Sequence, residues 1–311
     1  MESSTSTHKT KIDKDEVLIF LNDIYPNQIS NLEFISGGEG SQAFSFSADN
    51  EEYVIRVNRH SSDGFKKDEY AFLHFSSRGI PIPEISKIGQ MNNGYYFCIS
   101  KKIDAKLMKE FPQEEIYQML PNMFNTLDLI HSLDVQNTVG YGKWKANAGA
   151  KSTTWKEFLL EVDMYAVGRD GRPNLFETSF LEKDVWENIH ARFLELLQYC
   201  PEEKYLAHGD FGFDNLFIKD GKVAGVIDWE HSLYGDFLYD IAWLSFWSNG
   251  IDYETEYQKY IASINKDVPN LRERILCYKL CCGLGSLSFY AYSGQKDKYE
   301  RSKEKLLELL K

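Results

Sequence analysis

Residues 205–240 read YLAHGDFGFDNLFIKDGKVAGVIDWEHSLYGDFLYD, and both the fold and the chemistry turn on this stretch. Asp220-Gly221 is a two-residue hairpin signal between the apolar runs 216–218 and 223–227. If Lys219 pairs with Lys222, Ile218 faces Val223 and Asn215 faces Val226. Asp228 then shares a sheet face with Asn215 as its diagonal neighbour, about 7–8 Å away. An amide oxygen and a carboxylate meet at the open end of the hairpin. Oxygen-only donors suit magnesium, which takes one or two protein ligands and fills its shell with phosphate oxygens. Asp210 precedes Asn215 by five residues. A loop of that length folds its carboxylate back beside the pair, placed to orient and deprotonate an alcohol attacking a metal-bound phosphate. Any one of these residues alone fits a solvated hairpin. Their joint spacing is what points to chemistry.

Upstream, Val17, Leu21 and Ile24 recur at helical spacing over residues 15–25, and Pro26 ends the run. Phe44 and Phe46 alternate with serines, Asp49-Asn50 offers a turn, and Tyr53, Ile55 and Val57 alternate in turn, which predicts a hairpin. Asp63-Gly64 separates it from a helix predicted over 66–77. Ile80-Pro81-Ile82-Pro83 is extended, because each proline restricts the residue before it. Residues 95–100 read as another strand. After Lys102 long helices take over. Ile116, Met119, Leu120, Met123, Leu127 and Ile130 form one stripe, with a kink expected at Pro121. Thr154-x-x-Glu157 and Ser179-x-x-Glu182 read as capping boxes, and helical periodicity runs from Leu271 onward. The predicted class is α+β, with a small strand-rich lobe over 1–102 and a larger, mainly helical lobe over 103–311. The boundary falls near Ser100 to Asp104, and the cleft between such lobes is a natural ligand site.

The chain has 311 residues, which favours two lobes at roughly 100–200 residues per domain. With 43% apolar and 26% charged residues it is an ordinary globular sequence. A net charge of −12 argues against nucleic acid or anionic membrane as a partner and fits a cationic ligand. No stretch approaches the roughly 20 apolar residues that cross a bilayer. Residues 1–14 are polar, read as a flexible tail and not as a secretory signal. The five cysteines form no Cys-x-x-Cys, which fits reduced thiols in a monomeric cytoplasmic protein.

The segments H-G-D-F-G-F-D-N and V-I-D-W-E resemble the catalytic and metal-binding segments of the aminoglycoside phosphotransferase/choline kinase family. Further blocks are G-G-E-G-S-Q-A-F-S-F, Y-V-I-R-V-N, D-G-F-K-K-D-E-Y, G-I-P-I-P-E, Y-F-C-I-S-K-K and S-T-T-W-K-E-F. Within the family these are similar to the hygromycin B phosphotransferases. The resemblance implies a protein-kinase-like two-lobe fold with the nucleotide under the N-terminal sheet. It implies transfer of the γ-phosphate of ATP (or GTP), with Mg2+, to a hydroxyl of a cationic aminoglycoside, the 4-hydroxyl of hygromycin B, conferring antibiotic resistance. Asp210 becomes the catalytic aspartate, and Asn215 and Asp228 the magnesium ligands. Gly38 and Ser41 belong to the loop over the ATP phosphates, whose backbone N–H groups bind anionic oxygens. Ser100 and Lys102 lie in the connection that binds the adenine edge.

One position departs from the family pattern. Arg56 stands where a strand lysine usually binds the α- and β-phosphates. Its guanidinium can bridge phosphate and carboxylate, and Glu69 is the expected partner, with Asp68 as competitor. Asp214, Glu230 and Asp236 are the acidic groups nearest the catalytic segment, able to bind substrate ammonium groups or simply to be solvated. His208 reads as shaping its loop, and Asp240 as a structural brace. The aromatic stretch 229–247 reads as core packing, with stacking on sugar rings as the alternative. Competing readings are a kinase of another small alcohol, such as choline, a macrolide or a sugar amine, and a kinase-like binding module. From another class comes a metal-dependent hydrolase built on His208, Asp210, Asp228 and Asp236.

Overall fold

Alternation makes the first sheet. Phe44, Phe46 and Ala48 on one strand and Ile55 and Val57 on the next are buried, while the residues between them are not. The computed structural model describes residues 10–26, 28–37, 40–146, 149–168, 173–248 and 250–311. The chain forms two units, Met1–Phe111 with Phe213–Glu230, and Pro112–Gly212 with His231–Lys311.

The first unit is built on β1 (Ser30–Gly37), β2 (Gln42–Ala48), β3 (Glu51–Asn58), β4 (Ile85–Gln90) and β5 (Tyr96–Lys101). They form one antiparallel sheet in the order β1-β2-β3-β5-β4. Asp49 and Asn50 both take positive φ, 52° and 63°, as the predicted hairpin turn requires. Helix α1 (Lys14–Ile24) lays Val17 and Leu21 into the cluster formed by Phe44, Phe46, Ile55, Val57, Phe97 and Ile99. Helix α2 (Asp63–Phe75) starts earlier than predicted. Asp63 and Gly64 are not a break but its first turn, where an acidic residue suits the helix dipole.

The expected flexible tail does not extend to residue 14. Residues 1–9 lie outside the described residues. Ile12 belongs to the sheet's core cluster, Thr10 Oγ1 donates to the Gly40 carbonyl at 2.8 Å, and Asp13 caps α1 by accepting from the Asp15 N–H at 2.9 Å.

A second, three-stranded sheet completes this unit. Strand β6 (Lys106–Leu107) pairs with Leu216–Lys219, which pairs with Lys222–Val226. The unit therefore ends its first segment at Phe111 and regains the chain at Phe213, unlike the expected division at 102/103. Pairing across so long a sequence separation leaves no trace in local periodicity.

The second unit is mainly helical. The stripe predicted from Ile116 to Ile130 is buried along Gln113–His131, with Pro121 inside that helix. A four-stranded sheet orders Gly149–Ser152, Tyr141–Lys145, Leu233–Gly235 and Tyr205–Ala207. Strands this short carry too few residues to show alternation. Thr154 caps its helix, accepting from the Glu157 N–H at 3.1 Å, while Glu157 reaches back to the Thr153 N–H at 2.6 Å. The box expected at Ser179 does not form. The helix begins at Lys183, and Ser179 Oγ instead donates to the Leu175 carbonyl at 2.6 Å.

Contrary to the reading of the sequence, helix Leu271–Tyr292 is long and apolar enough to cross a membrane by length and composition. Here it packs against Leu238–Phe246, Lys183–Leu196 and Lys296–Glu308, burying Ile275, Leu280, Leu284 and Leu287. Asp236 also departs from expectation. Its side chain is 0% exposed. It accepts Arg274 Nη2 and Nε at 2.7 and 2.8 Å, the Tyr278 hydroxyl at 2.6 Å and the Leu238 N–H at 3.0 Å. A carboxylate has about four lone-pair sites, so nothing remains for a substrate ammonium. Asp236 is a structural anchor.

Cutting this pair leaves a buried charge uncompensated. Arg274→Met is expected to lower unfolding stability by about 3–5 kcal/mol, read from urea midpoints. A loss under about 1 kcal/mol would show that the pair is dispensable.

Candidate active site

In the first unit the Leu216–Lys219/Lys222–Val226 hairpin turns at Asp220 and Gly221, both with positive φ, and Lys219 pairs with Lys222 as expected. Ile218 faces Val223, but Leu216, not Asn215, faces Val226. A bulge between Phe217 and Ile218 shifts the register, with Ala224 as the extra residue. The adjacent position must be glycine, since a Cβ on Gly225 would sit 2.4 Å from Ile103 Cδ1. Asn215 is buried, and its carbonyl accepts the Ile227 N–H at 3.0 Å. Asp228 has φ +63°, a left-handed conformation that ends the strand's alternation. The pleat argument for a shared face therefore fails. The backbone bond from Ile227 still puts Asp228 one residue from the partner of Asn215 at the open end of the hairpin.

Strain at Asp228 is held by the next two residues, Trp229 and Glu230. The Trp229 N–H donates to Asp68 Oδ1 at 2.8 Å, the Trp229 ring lies 5.7 Å from that of Phe75, and Lys67 Nζ donates to the Glu230 carbonyl at 2.8 Å. All three partners belong to α2. Asp68 Oδ2 also accepts Arg56 Nη2 in an ion pair. The partner of Arg56 is thus Asp68 and not Glu69, for a periodic reason. Phe65, Asp68, Ala71 and Phe75 form the buried stripe of α2, and Glu69 lies one step around the helix from it. Arg56 also sits over the Phe65 ring, 5.2 Å from its centroid.

Burial pushes the Asp228 carboxyl up, to about 6, and neighbouring Asp68 pushes it the same way, while Arg56 opposes them. Crowded negative charge with hard oxygen donors fits a divalent cation of the magnesium type. No group of three His, Cys, Asp or Glu side chains able to hold a metal occurs among the described residues.

Of the other expected nucleotide contacts, Gly38 lies outside the described residues. Ser41 sits in the connection between β1 and β2, which pair up to Gly37 and Gln42. Ser100 is buried inside β5, opposite Val54 and Ile85. The Lys102 N–H is donated to the Glu52 carbonyl at 2.9 Å and its ammonium to the Glu52 carboxylate at 3.2 Å, so that amide is already engaged. Asp214 is exposed and paired with Lys109 at 2.6 Å. Glu230 is exposed, its side chain lying against Gly64.

In the second unit, loop 208–212 follows strand Tyr205–Ala207. Buried Asp240, on helix Leu238–Phe246, accepts the Gly209 N–H at 2.7 Å, the His208 N–H at 3.0 Å and the His131 ring at 2.9 Å. Gly209 has φ +76°, and a Cβ there would lie 2.2 Å from the His231 carbonyl oxygen, so only glycine fits. The next residue, Asp210, is half-buried, and its Oδ1 accepts the Trp243 indole N–H at 2.9 Å.

The chain matches the phosphotransferase enzyme family over residues 31–273. It belongs to that family. It is 29% identical over 265 residues to hygromycin-B 4-O-kinase of Escherichia coli, covering 84% of this chain and 75% of that one. The crystal structure of aminoglycoside phosphotransferase APH(4)-Ia superposes with a TM-score of 0.82 at 28% identity, over 96% of this chain and 98% of that one. A thermostable mutant of the same enzyme in ternary complex with AMP-PNP and hygromycin B gives 0.81 over 94% and 97%, also at 28% identity. The fold is the kinase-like fold of these phosphotransferases.

Membership in the phosphotransferase family leaves no room for the hydrolase alternative, and the geometry agrees. His208 is fully buried beside Asp240, and Asp236 is spent on Arg274. Reading the sequence missed Trp243, His131 and the link from Asp68 to Trp229. Trp243 had a signal, being one helical turn beyond Asp240, whereas the Asp68 link joins residues 161 apart and had none.

The raised Asp228 carboxyl carries a sign. An acid whose folded pKa exceeds its unfolded value binds more protons in the native state, so ligand-free stability falls as pH rises from about 4 through about 6. Asp228→Asn is therefore expected to stabilise the ligand-free phosphotransferase above pH 7 by on the order of 1–3 kcal/mol, and to have little effect below pH 4. Thermal melts across that range check it. Destabilisation at pH 8 would show that Asp228 is not electrostatically crowded.

Proposed function

We propose that this phosphotransferase moves the γ-phosphate of ATP to a hydroxyl of an aminoglycoside, with hygromycin B and its 4-hydroxyl as the substrate and position. The observation that carries the reading is Asp210. It stands on a loop clamped by Asp240, carries an oriented carboxylate, and precedes Asn215 by five residues on one continuous segment. The likeness of nearly the whole chain to APH(4)-Ia, solved with AMP-PNP and hygromycin B, supports the substrate.

Asp210 orients the acceptor hydroxyl and takes its proton as the bond to phosphorus forms. Asn215 and Asp228 supply oxygen donors for magnesium. When bound, magnesium neutralises charge on the β- and γ-phosphate oxygens. Arg56, fixed by Asp68, offers a fork of donors to the nucleotide phosphates. In the connection between β1 and β2, backbone N–H groups next to Ser41 receive phosphate, and the connection after β5 takes the adenine edge. Asp214 and Glu230 attract the polycationic acceptor. The protein's net charge of −12 favours its approach.

The direct test is mass spectrometry of a panel of aminoglycosides and neutral alcohols incubated with purified protein, ATP and magnesium. Gain of a phosphoryl group on hygromycin B, located at the 4-hydroxyl, supports the reading. Efficient modification of a neutral alcohol with hygromycin B untouched replaces the substrate but not the reaction.

Asp210→Asn keeps the volume and removes the proton acceptor, so kcat is expected to fall by about 10²–10⁴-fold with nucleotide binding intact. Near-normal turnover under chemistry-limited conditions would take Asp210 out of the mechanism. The acceptor's charge predicts a salt effect as well. The Debye length shrinks from about 10 Å at 0.1 M to about 3 Å at 1 M, so KM for hygromycin B should rise with salt while kcat changes less. Glu230→Gln should flatten that dependence more than Asp214→Asn, because Lys109 already offsets Asp214.

A further inference from the structure

We propose that Trp243 is a positioning residue for Asp210, fixing by its indole N–H the carboxylate that takes the acceptor proton; this rests on the phosphotransferase function proposed for Asp210. Helix Leu238–Phe246 grips the catalytic loop twice. Asp240 accepts the backbone N–H groups of His208 and Gly209. Trp243, three residues on and so on the same face, donates to Asp210 Oδ1 at 2.9 Å. The loop is packed on either side of Asp210: a Cβ on Gly209 would meet the His231 carbonyl oxygen at 2.2 Å, and one on Gly212 would be in ordinary contact with Leu244 Cδ2 at 3.7 Å.

With the backbone fixed, the remaining freedom of Asp210 is rotation of its side chain. The hydrogen bond to Trp243 removes it. An indole N–H can only donate, so it favours the ionised carboxylate over the protonated one. Both effects serve a base that must be charged and aimed before the acceptor arrives. Core packing does not account for the ring's placement. Trp243 is only half-buried, and its nearest aromatic neighbour, Trp247 at 5.7 Å, is exposed.

The test compares three proteins in steady-state phosphoryl transfer. Trp243→Phe keeps an aromatic ring and deletes the N–H. Its kcat should fall about 10- to 100-fold, with KM for ATP and acceptor within about twofold, and the acid limb of its pH–kcat profile should move to higher pH. Trp243→Gln restores a donor without the ring and should recover part of the lost kcat. A packing role would give the reverse, lost stability in both variants with an unmoved pH profile, and that result overturns the proposal. So does a Gln variant no better than the Phe variant.

A second measurement needs no turnover. In urea unfolding at pH 8, the midpoint shifts of Trp243→Phe and Asp210→Ala should not add in the double variant, because each deletes the same bond. Additive shifts overturn the proposal. Should the wild-type protein phosphorylate none of the acceptors, the functional reading falls on its own, and this cycle still decides whether Trp243 holds Asp210.

Discussion

A carboxylate with no access to water must be matched by donors, and Asp240 is such a carboxylate. Its partners are the His131 ring, from the far end of a long helix, and two consecutive backbone N–H groups of the loop that carries Asp210. Helix Gln113–His131, helix Leu238–Phe246 and the loop after Tyr205–Ala207 therefore have only one mutual placement that leaves no charge unpaired. The positive φ of Gly209, the close approach of the His231 carbonyl and the aim of Asp210 all follow from that placement.

The first unit repeats the device with different residues. Asp68, buried on α2, accepts the backbone N–H of Trp229, the residue after Asp228, and holds Arg56 with its other oxygen. In both units a buried helical aspartate accepts the peptide N–H next to an acid of the candidate site. One carboxylate thus fixes the backbone beside another. Both candidate-site aspartates lie at left-handed backbone, Asp210 after Gly209 at φ +76° and Asp228 itself at φ +63°. Glycine takes that conformation freely, whereas for Asp228 it costs on the order of 1–3 kcal/mol and persists only where surroundings over-determine it. Asp68, through the Trp229 N–H, supplies that restraint.

Local signals were read faithfully. The Asp49-Asn50 and Asp220-Gly221 turns, the stripe from Ile116 to Ile130 and the Thr154 cap depend on neighbours within a few residues, and they formed as the spacing demands. The failures share a cause. The lack of a side chain at Gly225 answers to Ile103, and the pairing of Phe217 with Leu107 answers to a strand of two residues. The burial of Asp236 answers to Arg274 and Tyr278 on another helix. Asp68 was preferred over Glu69 by helical phase, and Phe65, Ala71 and Phe75 had already written that phase in the sequence. Asp210, Asn215 and Asp228 were legible as candidates because of their joint spacing. What holds them was mostly not, because burial and long-range partners leave no periodic mark.

The return of residues 213–230 to the first unit has a consequence for synthesis. A ribosome adding about 5–20 residues per second needs roughly 5–20 s to travel from β6 to its partner strand Leu216–Lys219. Through that interval β6 waits without its partner strand, and the Asp68 carboxylate lacks the Trp229 N–H that will occupy it. Residues 112–212 emerge in between, so part of the second unit is available to fold before the first can close. The first unit cannot be completed before residues 112–212 have been made. A chaperone protecting the growing chain would meet a finished five-stranded sheet and an unpaired β6 well before the partner strand arrives.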